Sequence, residues 1–200
     1  MSRDIVQSVS IASLKDTNIN HDRSTICERS IATVRGRSLG ATSGRLTYGW
    51  QTFDCTLGSG GRRFMKREGD GATPIGLWPM REVLYRADRG RAPRTQLPCR
   101  PIRQDDAWCD VVGDRNYNRA VKLPYSVLEE RLWRDDHLYD IIVVLGYNDL
   151  PRVQGLGSAI FMHGMRSGAK PTAGCVGLQL NALRQLLEKE KPPQWIRITG

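Results

Sequence analysis

The clearest hydrophobic pattern in the chain is the unbroken apolar run Ile141–Leu145, which closes the β-rich segment Tyr139–Leu145. A run this short, rich in β-branched side chains and followed by glycine, predicts a central strand buried on both faces. Shorter β-prone segments joined by tight turns predict strands at Ile31–Arg37, Leu46–Trp50 and Phe53–Leu57. Further strands are predicted through Val83 to Tyr85, over Ser158–His163 and over Trp195–Ile198. Helical periodicity is rarer. From about Asn181 to Glu190, Leu183, Leu186 and Leu187 form one apolar stripe. Ser126 with Glu129 makes a capping box leading into Leu128, Leu132 and Trp133, which predicts a second short helix. Many strands with two short helices predict a mainly β, sandwich-like fold.

The pattern also divides the chain. Residues 1–30 are rich in Ser, Asn, Asp and Arg without a sustained period, and predict a flexible N-terminal arm. Residues 31–200 predict one domain. Within it, roughly 86–137 is loop-rich, with prolines at 93, 98, 101 and 124, and reads as an insertion covering something.

Composition narrows the function classes. An apolar content of 40% and a charged content of 26% fit a globular domain. No segment approaches the roughly 18 consecutive apolar residues of a membrane span. The start lacks a continuous apolar core of a signal peptide, because Gln7, Ser8, Ser10 and Ser13 interrupt it. Net charge is +9, and Arg81, Arg86, Arg89, Arg91, Arg94, Arg100 and Arg103 make the densest basic run. Such a run suits a polyanion, yet few aromatics interleave with it, so a solvated loop is the expectation and no nucleic acid is expected as a partner. Five cysteines show neither a Cys-x-x-Cys pair nor zinc spacing, so no metal site is expected. Separate buried thiols are the expectation, with a Cys99–Cys109 bridge across a loop in an oxidising compartment as the alternative.

One cysteine stands in a special setting. Cys175 follows Gly174, where the backbone can turn sharply and let a substrate approach. His163 ends a predicted strand beside Gly164, so its imidazole can face a cleft and take the thiol proton. Backbone N–H groups around Gly174 and Cys175 can then hold a developing oxyanion. On these residues alone a structural cysteine and histidine remain an equal alternative. Gly58-Ser59-Gly60-Gly61 lacks a following Gly-Lys-Ser/Thr and is a turn, not a phosphate loop.

The segment Ile160-Phe161-Met162-His163-Gly164 followed by Thr172-Ala173-Gly174-Cys175-Val176 resembles the signature of the L,D-transpeptidase catalytic domain (YkuD-type). The upstream Ala72-Thr73-Pro74-Ile75-Gly76 resembles that family's Thr-Pro-x-Gly element. The resemblance runs from about Ile31 to Thr199 and is closest to the compact, single-domain branch with a polar insertion.

The resemblance implies an L,D-transpeptidase-like β-sandwich in which Cys175 attacks a stem-peptide carbonyl of peptidoglycan, at the L-centre of the third-position diamino acid. The terminal D-amino acid leaves, and an amine of a second stem resolves the thioester to form a crosslink. His163 is then the general base, Gly174 lines the oxyanion site, and Thr172 occupies the family's Ser/Thr position. Thr73, His137, Tyr139 and Asn148 are the expected substrate contacts, with a turn cap as the plain alternative for Asn148 and a surface loop for His137. Many members carry His two residues before the cysteine and Arg two after; here Ala173 and Gly177 stand there, which puts substrate anchoring in question. No cofactor is implied. The expected partners are stem peptides as donor and acceptor, with envelope proteins as further acceptors. A monomer in the periplasm or cell envelope is expected. The alternatives are a peptidase or amidase in which water resolves the thioester, and a basic wall- or nucleic-acid-binding module with an inert cysteine.

Overall fold

A computed structural model describes residues 31–125, 130–189 and 194–200. The expected arm at 1–30 and the Ser126/Glu129 capping box lie outside the described residues. The strands in chain order are β1 (Ala32–Gly36), β2 (Ser43–Tyr48), β3 (Gln51–Thr56), β4 (Arg62–Arg63), β5 (Thr73–Pro74), β6 (Gly76–Tyr85) and β7 (Cys99–Pro101). They continue with β8 (Asp106–Cys109), β9 (Arg119–Lys122), β10 (Glu130–Arg131), β11 (Ile141–Leu145), β12 (Phe161–Gly164), β13 (Val176–Leu178) and β14 (Trp195–Ile198). The one α-helix among the described residues, α1 (Leu180–Lys189), precedes β14, and a 3-10 turn covers Ser167–Ala169.

The main sheet runs β11-β12-β13-β3-β2-β1-β14-β6-β7, and β6 pairs back onto β11. Hydrogen bonding therefore travels in a closed circuit, giving a mainly β sandwich-like fold whose edges are largely satisfied. The long strand β6 makes closure possible. Its first part, from Gly76 to Pro79, pairs with β14, and its remainder, from Met80 to Tyr85, pairs with β11.

Period-two alternation sorts β11 between two cores. Ile141, Val143 and Leu145 join Val34, Leu46, Met162, Val176 and Ile196 in the larger one. Ile142 and Val144 face the other way, into a second cluster with Phe161, Trp108, Leu132, Tyr139 and Cys175. All five β11 residues are buried, as an apolar run without alternation requires. Each such side chain contributes about 1.5–3 kcal/mol by leaving water. Helix α1 adds its Leu183, Leu186 and Leu187 stripe to the larger core.

The insertion differs from its expected loop-rich form. It carries a three-stranded sheet, β10-β8-β9, which sends Trp108 edge-on to Phe161 at 5.2 Å. The helix expected through Leu132 and Trp133 is absent from those residues. Glu130 and Arg131 pair with β8 instead, Leu132 donates its N–H to the Asp106 carbonyl and is buried, and the Arg86 guanidinium lies over the Trp133 ring at 3.6 Å. Partners distant in sequence, not a helical period, fix Glu130 to Trp133.

Candidate active site

Strands β12 and β13 are parallel neighbours, with His163 opposite Gly177 and Met162 opposite Val176. Cys175 sits one residue before β13, level with Phe161. Residues 163 and 175 thus project toward the second core, and the loop between them folds over the sheet end. Gly174 makes this turn possible: its φ is +132, and a Cβ there would lie 2.8 Å from the Ala72 carbonyl oxygen. Thr172 ties the turn by donating to the Cys175 carbonyl at 2.7 Å and accepting the Gly174 N–H at 3.2 Å.

The sulfur is held by backbone. Phe161 N–H donates to Cys175 Sγ at 3.3 Å, and the thiol donates to the Ala159 carbonyl at 3.2 Å. Burial pushes the thiol up to about 12; the Phe161 N–H opposes this, and the Glu130 carboxylate adds to it. His163 is buried, and its Nδ1 lies 2.7 Å from the Gly164 carbonyl. Because a carbonyl only accepts, Nδ1 carries the hydrogen and Nε2 keeps its lone pair. Burial lowers the imidazole to about 4; the Gly164 bond works against this, and Arg166 and Arg134 reinforce it. The pair therefore rests as neutral thiol and neutral imidazole.

Cys175 and His163 line one cavity of about 340 Å³. Glu130, Arg134, Leu138 and Tyr139 line it from the insertion side, and Arg166, Lys170, Pro171 and Thr172 from the β12–β13 loop. A larger space, about 870 Å³, lies on the outer face of β1, β2 and β3. It contains Cys55 but no histidine, and burial also pushes that thiol up to about 12, so it offers no acid–base pair.

The other expected contacts fall into two groups. Tyr139 lines the cavity, with its ring edge-on to His163 at 5.3 Å and its hydroxyl bonded to Glu130. Thr172 also lines it, although its hydroxyl is committed to the turn. Thr73, His137 and Asn148 are not among the lining residues. Thr73 is fully buried behind the loop, where its hydroxyl accepts the Gly58 N–H at 2.8 Å and reaches the Cys175 carbonyl at 3.5 Å. His137 is mostly exposed and bonds Asp140 at 2.9 Å. Asn148 caps its own turn, accepting the Val153 N–H at 2.8 Å and donating to the Val153 and Gly157 carbonyls. Cys55, Cys99, Cys109 and Cys175 are all free thiols. Among the described residues no group of three or more His, Cys, Asp or Glu side chains is placed to hold a metal.

Several residues that surround the site carry no local sequence signal. Asn118 is buried; its Oδ1 accepts from the Trp108 indole at 3.0 Å and from Ala159 N–H at 3.1 Å. Its Nδ2 donates to the Tyr147 and Asn148 carbonyls. Lys66 is buried beneath the nucleophile turn and pairs with Asp70 at 2.6 Å. Burial works to raise Asp70, but Lys66 and the N–H groups of Arg67 and Ala72 outweigh it and hold the carboxyl below its usual range. Only the opposite charges four apart at 66 and 70 were visible in the sequence, and without a helix they predict no contact. Glu130, Arg134, Arg166 and Lys170 reach the cavity through strand pairing and loop closure, which spacing alone does not reveal.

The family model described as the L,D-transpeptidase catalytic domain (YkuD) matches residues 37–196, most of the chain. No curated protein and no solved structure matches. No helix among the described residues is long and apolar enough to cross a membrane.

Proposed function

The chain belongs to the L,D-transpeptidase catalytic domain family, and on that premise we propose that it crosslinks peptidoglycan stem peptides through a thioester on Cys175. The observation that carries this reading is the shared cavity: a thiol and an imidazole with its Nε2 lone pair open to accept a proton line the same space. Residues 31–200 form the catalytic domain in this reading, acting outside the cytoplasmic membrane as a monomer.

The reaction begins when the thiol turns from the Ala159 carbonyl toward His163. Since both groups rest neutral, the proton passes from Sγ to Nε2 as the sulfur attacks the donor carbonyl. The carbonyl oxygen becomes an oxyanion. Gly174 N–H is occupied by Thr172, so the Cys175 N–H, which makes no hydrogen bond among the described residues, is the backbone donor available to it. Collapse expels the terminal D-amino acid as its amine, which takes the proton from His163. An acceptor amine then attacks the thioester and gives its proton to His163. The thiol regains that proton as the new amide forms. Tyr139 packs against the imidazole and keeps its plane fixed while the proton moves.

Two measurements test this. Intact-mass analysis after a carbapenem should show a covalent adduct in the wild type and none in Cys175→Ala. Incubation with defined muropeptides should give crosslinked dimers by mass spectrometry; shortened stems alone would mean that water, not an amine, resolves the thioester. Absence of any adduct or product in the wild type would end the acyl-transfer reading.

A further inference from the structure

The cavity around Cys175 carries an excess of positive charge that the acyl-transfer chemistry does not itself need. The 3-10 turn Ser167–Ala169 is flanked by Arg166 at its start and Lys170 at its end, and both line the cavity. Gly168, with φ +73, lets the chain reverse between them. Neither side chain has an ion pair or hydrogen bond among the described residues, and both are exposed.

The remaining charges of the cavity are already matched. Arg134 grips Asp136 through two bonds of 3.0 and 2.7 Å, reaches Glu130 at 3.1 Å and lies over the Tyr139 ring at 5.2 Å. Glu130 is shared between Arg134 and the Tyr139 hydroxyl. Lys66, behind the turn, is neutralised by Asp70. Arg166 and Lys170 are thus the two lining cations that no carboxylate holds by a direct bond; Asp136, already gripped by Arg134, feels Arg166 only through space.

We propose that Arg166 and Lys170 form a carboxylate-binding subsite, so that the preferred acyl donor is a peptide bearing a free carboxylate near the scissile carbonyl. This rests on the acyl-transfer reading above. A guanidinium presents a planar pair of donors that matches a carboxylate, and an ammonium adds a point charge beside it. The subsite also acts on the base. Arg166 and Arg134 both disfavour protonation of His163, while Asp136 favours it. A donor carboxylate paired with Arg166 removes part of that opposition, so the imidazole becomes more basic once the donor is bound.

The test uses two donor tetrapeptides that differ only in whether the carboxylate beside the third-position carbonyl is free or amidated. Acylation of Cys175 is followed by intact mass, with kcat and KM separated. The wild type should favour the free carboxylate by about ten- to a hundredfold in kcat/KM, mostly through KM, and the preference should shrink with salt. Arg166→Ala with Lys170→Ala should abolish the preference, and Arg166→Glu with Lys170→Glu should reverse it toward the amide. With the free donor, the acid limb of kcat should lie at higher pH than that of kcat/KM; with the amide the two limbs should coincide. Equal use of both donors by the wild type, or a preference that survives charge reversal, overturns the subsite. If neither donor acylates a wild-type Cys175 that iodoacetamide still alkylates, the acyl-transfer reading fails and takes the subsite with it.

Discussion

The Asn118 side chain accepts the Ala159 N–H at 3.1 Å, and the Ala159 carbonyl in turn accepts the Cys175 thiol at 3.2 Å. A residue on the insertion is thereby coupled, through one peptide segment, to the sulfur on the main sheet. Ala159 itself sits at φ +51, a conformation that a non-glycine residue adopts only when its surroundings enforce it. The insertion therefore does more than cover the second core. It sets the position of the segment that aims the thiol.

This coupling predicts the behaviour of Asn118→Ala. Four partners, the Trp108 indole, the Ala159 N–H and the Tyr147 and Asn148 carbonyls, would lose their bonds together. We expect a stability loss of roughly 1–3 kcal/mol in thermal or urea unfolding. Cys175 acylation should slow by more than that loss of folded protein explains. Asn118→Asp retains the acceptor for Trp108 and Ala159, and should recover rate better than stability. Equal recovery of both would make the residue a fold support only.

His163 carries a pH signature. Its folded value near 4 lies below that of an unfolded histidine, near 6.5. Below 6.5 the unfolded chain takes up a proton that the folded site refuses. The folded state therefore loses stability as pH falls from 6.5 toward 4, by roughly 3 kcal/mol in total. His163→Gln should remove that part of the slope in denaturant titrations across this window, while abolishing turnover. The acid limb of kcat/KM should lie near pH 4, well below an ordinary histidine. A limb near 6.5 would mean that the imidazole is hydrated.

How much of this was legible follows from the reach of each signal. Ile141–Leu145 and the leucine stripe of α1 are contiguous or periodic, so each states its burial locally. Strands β8, β9 and β10 are two to four residues long, and β9 is exposed along most of its length; only their mutual pairing makes them strands. The site divides in the same way. Cys175 and His163 stand in local motifs flanked by glycine, and they share a cavity. His137 and Asn148 were expected to contact substrate, but each closes its own turn, at φ +60 and +49. Arg166 and Lys170 were invisible because a cation in a loop looks the same whether it faces solvent or a cavity.

Gly174 gives a sharper test of the turn. Gly174→Ala places a methyl 2.8 Å from the Ala72 carbonyl oxygen at a φ that favours glycine. Backbone must move, and the adjacent Cys175 moves with it. We expect a stability loss of about 1–3 kcal/mol and a fall of at least a hundredfold in Cys175 acylation. Gly40→Ala, where nothing lies within 4 Å, serves as the control and should leave both unchanged. An active Gly174→Ala protein would mean that the turn tolerates displacement.

Lys66 separates support of the fold from electrostatic help to the nucleophile. Its ammonium would lie 3.5 Å from a Cβ placed on Gly174, and its charge favours the Cys175 thiolate. Lys66→Met leaves the Asp70 carboxylate poorly compensated in a mostly buried place, which should cost about 3–5 kcal/mol. Adding Asp70→Asn removes the stranded charge, and most of the stability should return in urea unfolding. The positive charge beneath the turn does not return with it. Cys175 acylation in the double variant should therefore remain several-fold slower than in the wild type, because sulfur ionisation and the oxyanion both lose a nearby cation. Recovery of rate together with stability would limit Lys66 to propping the turn.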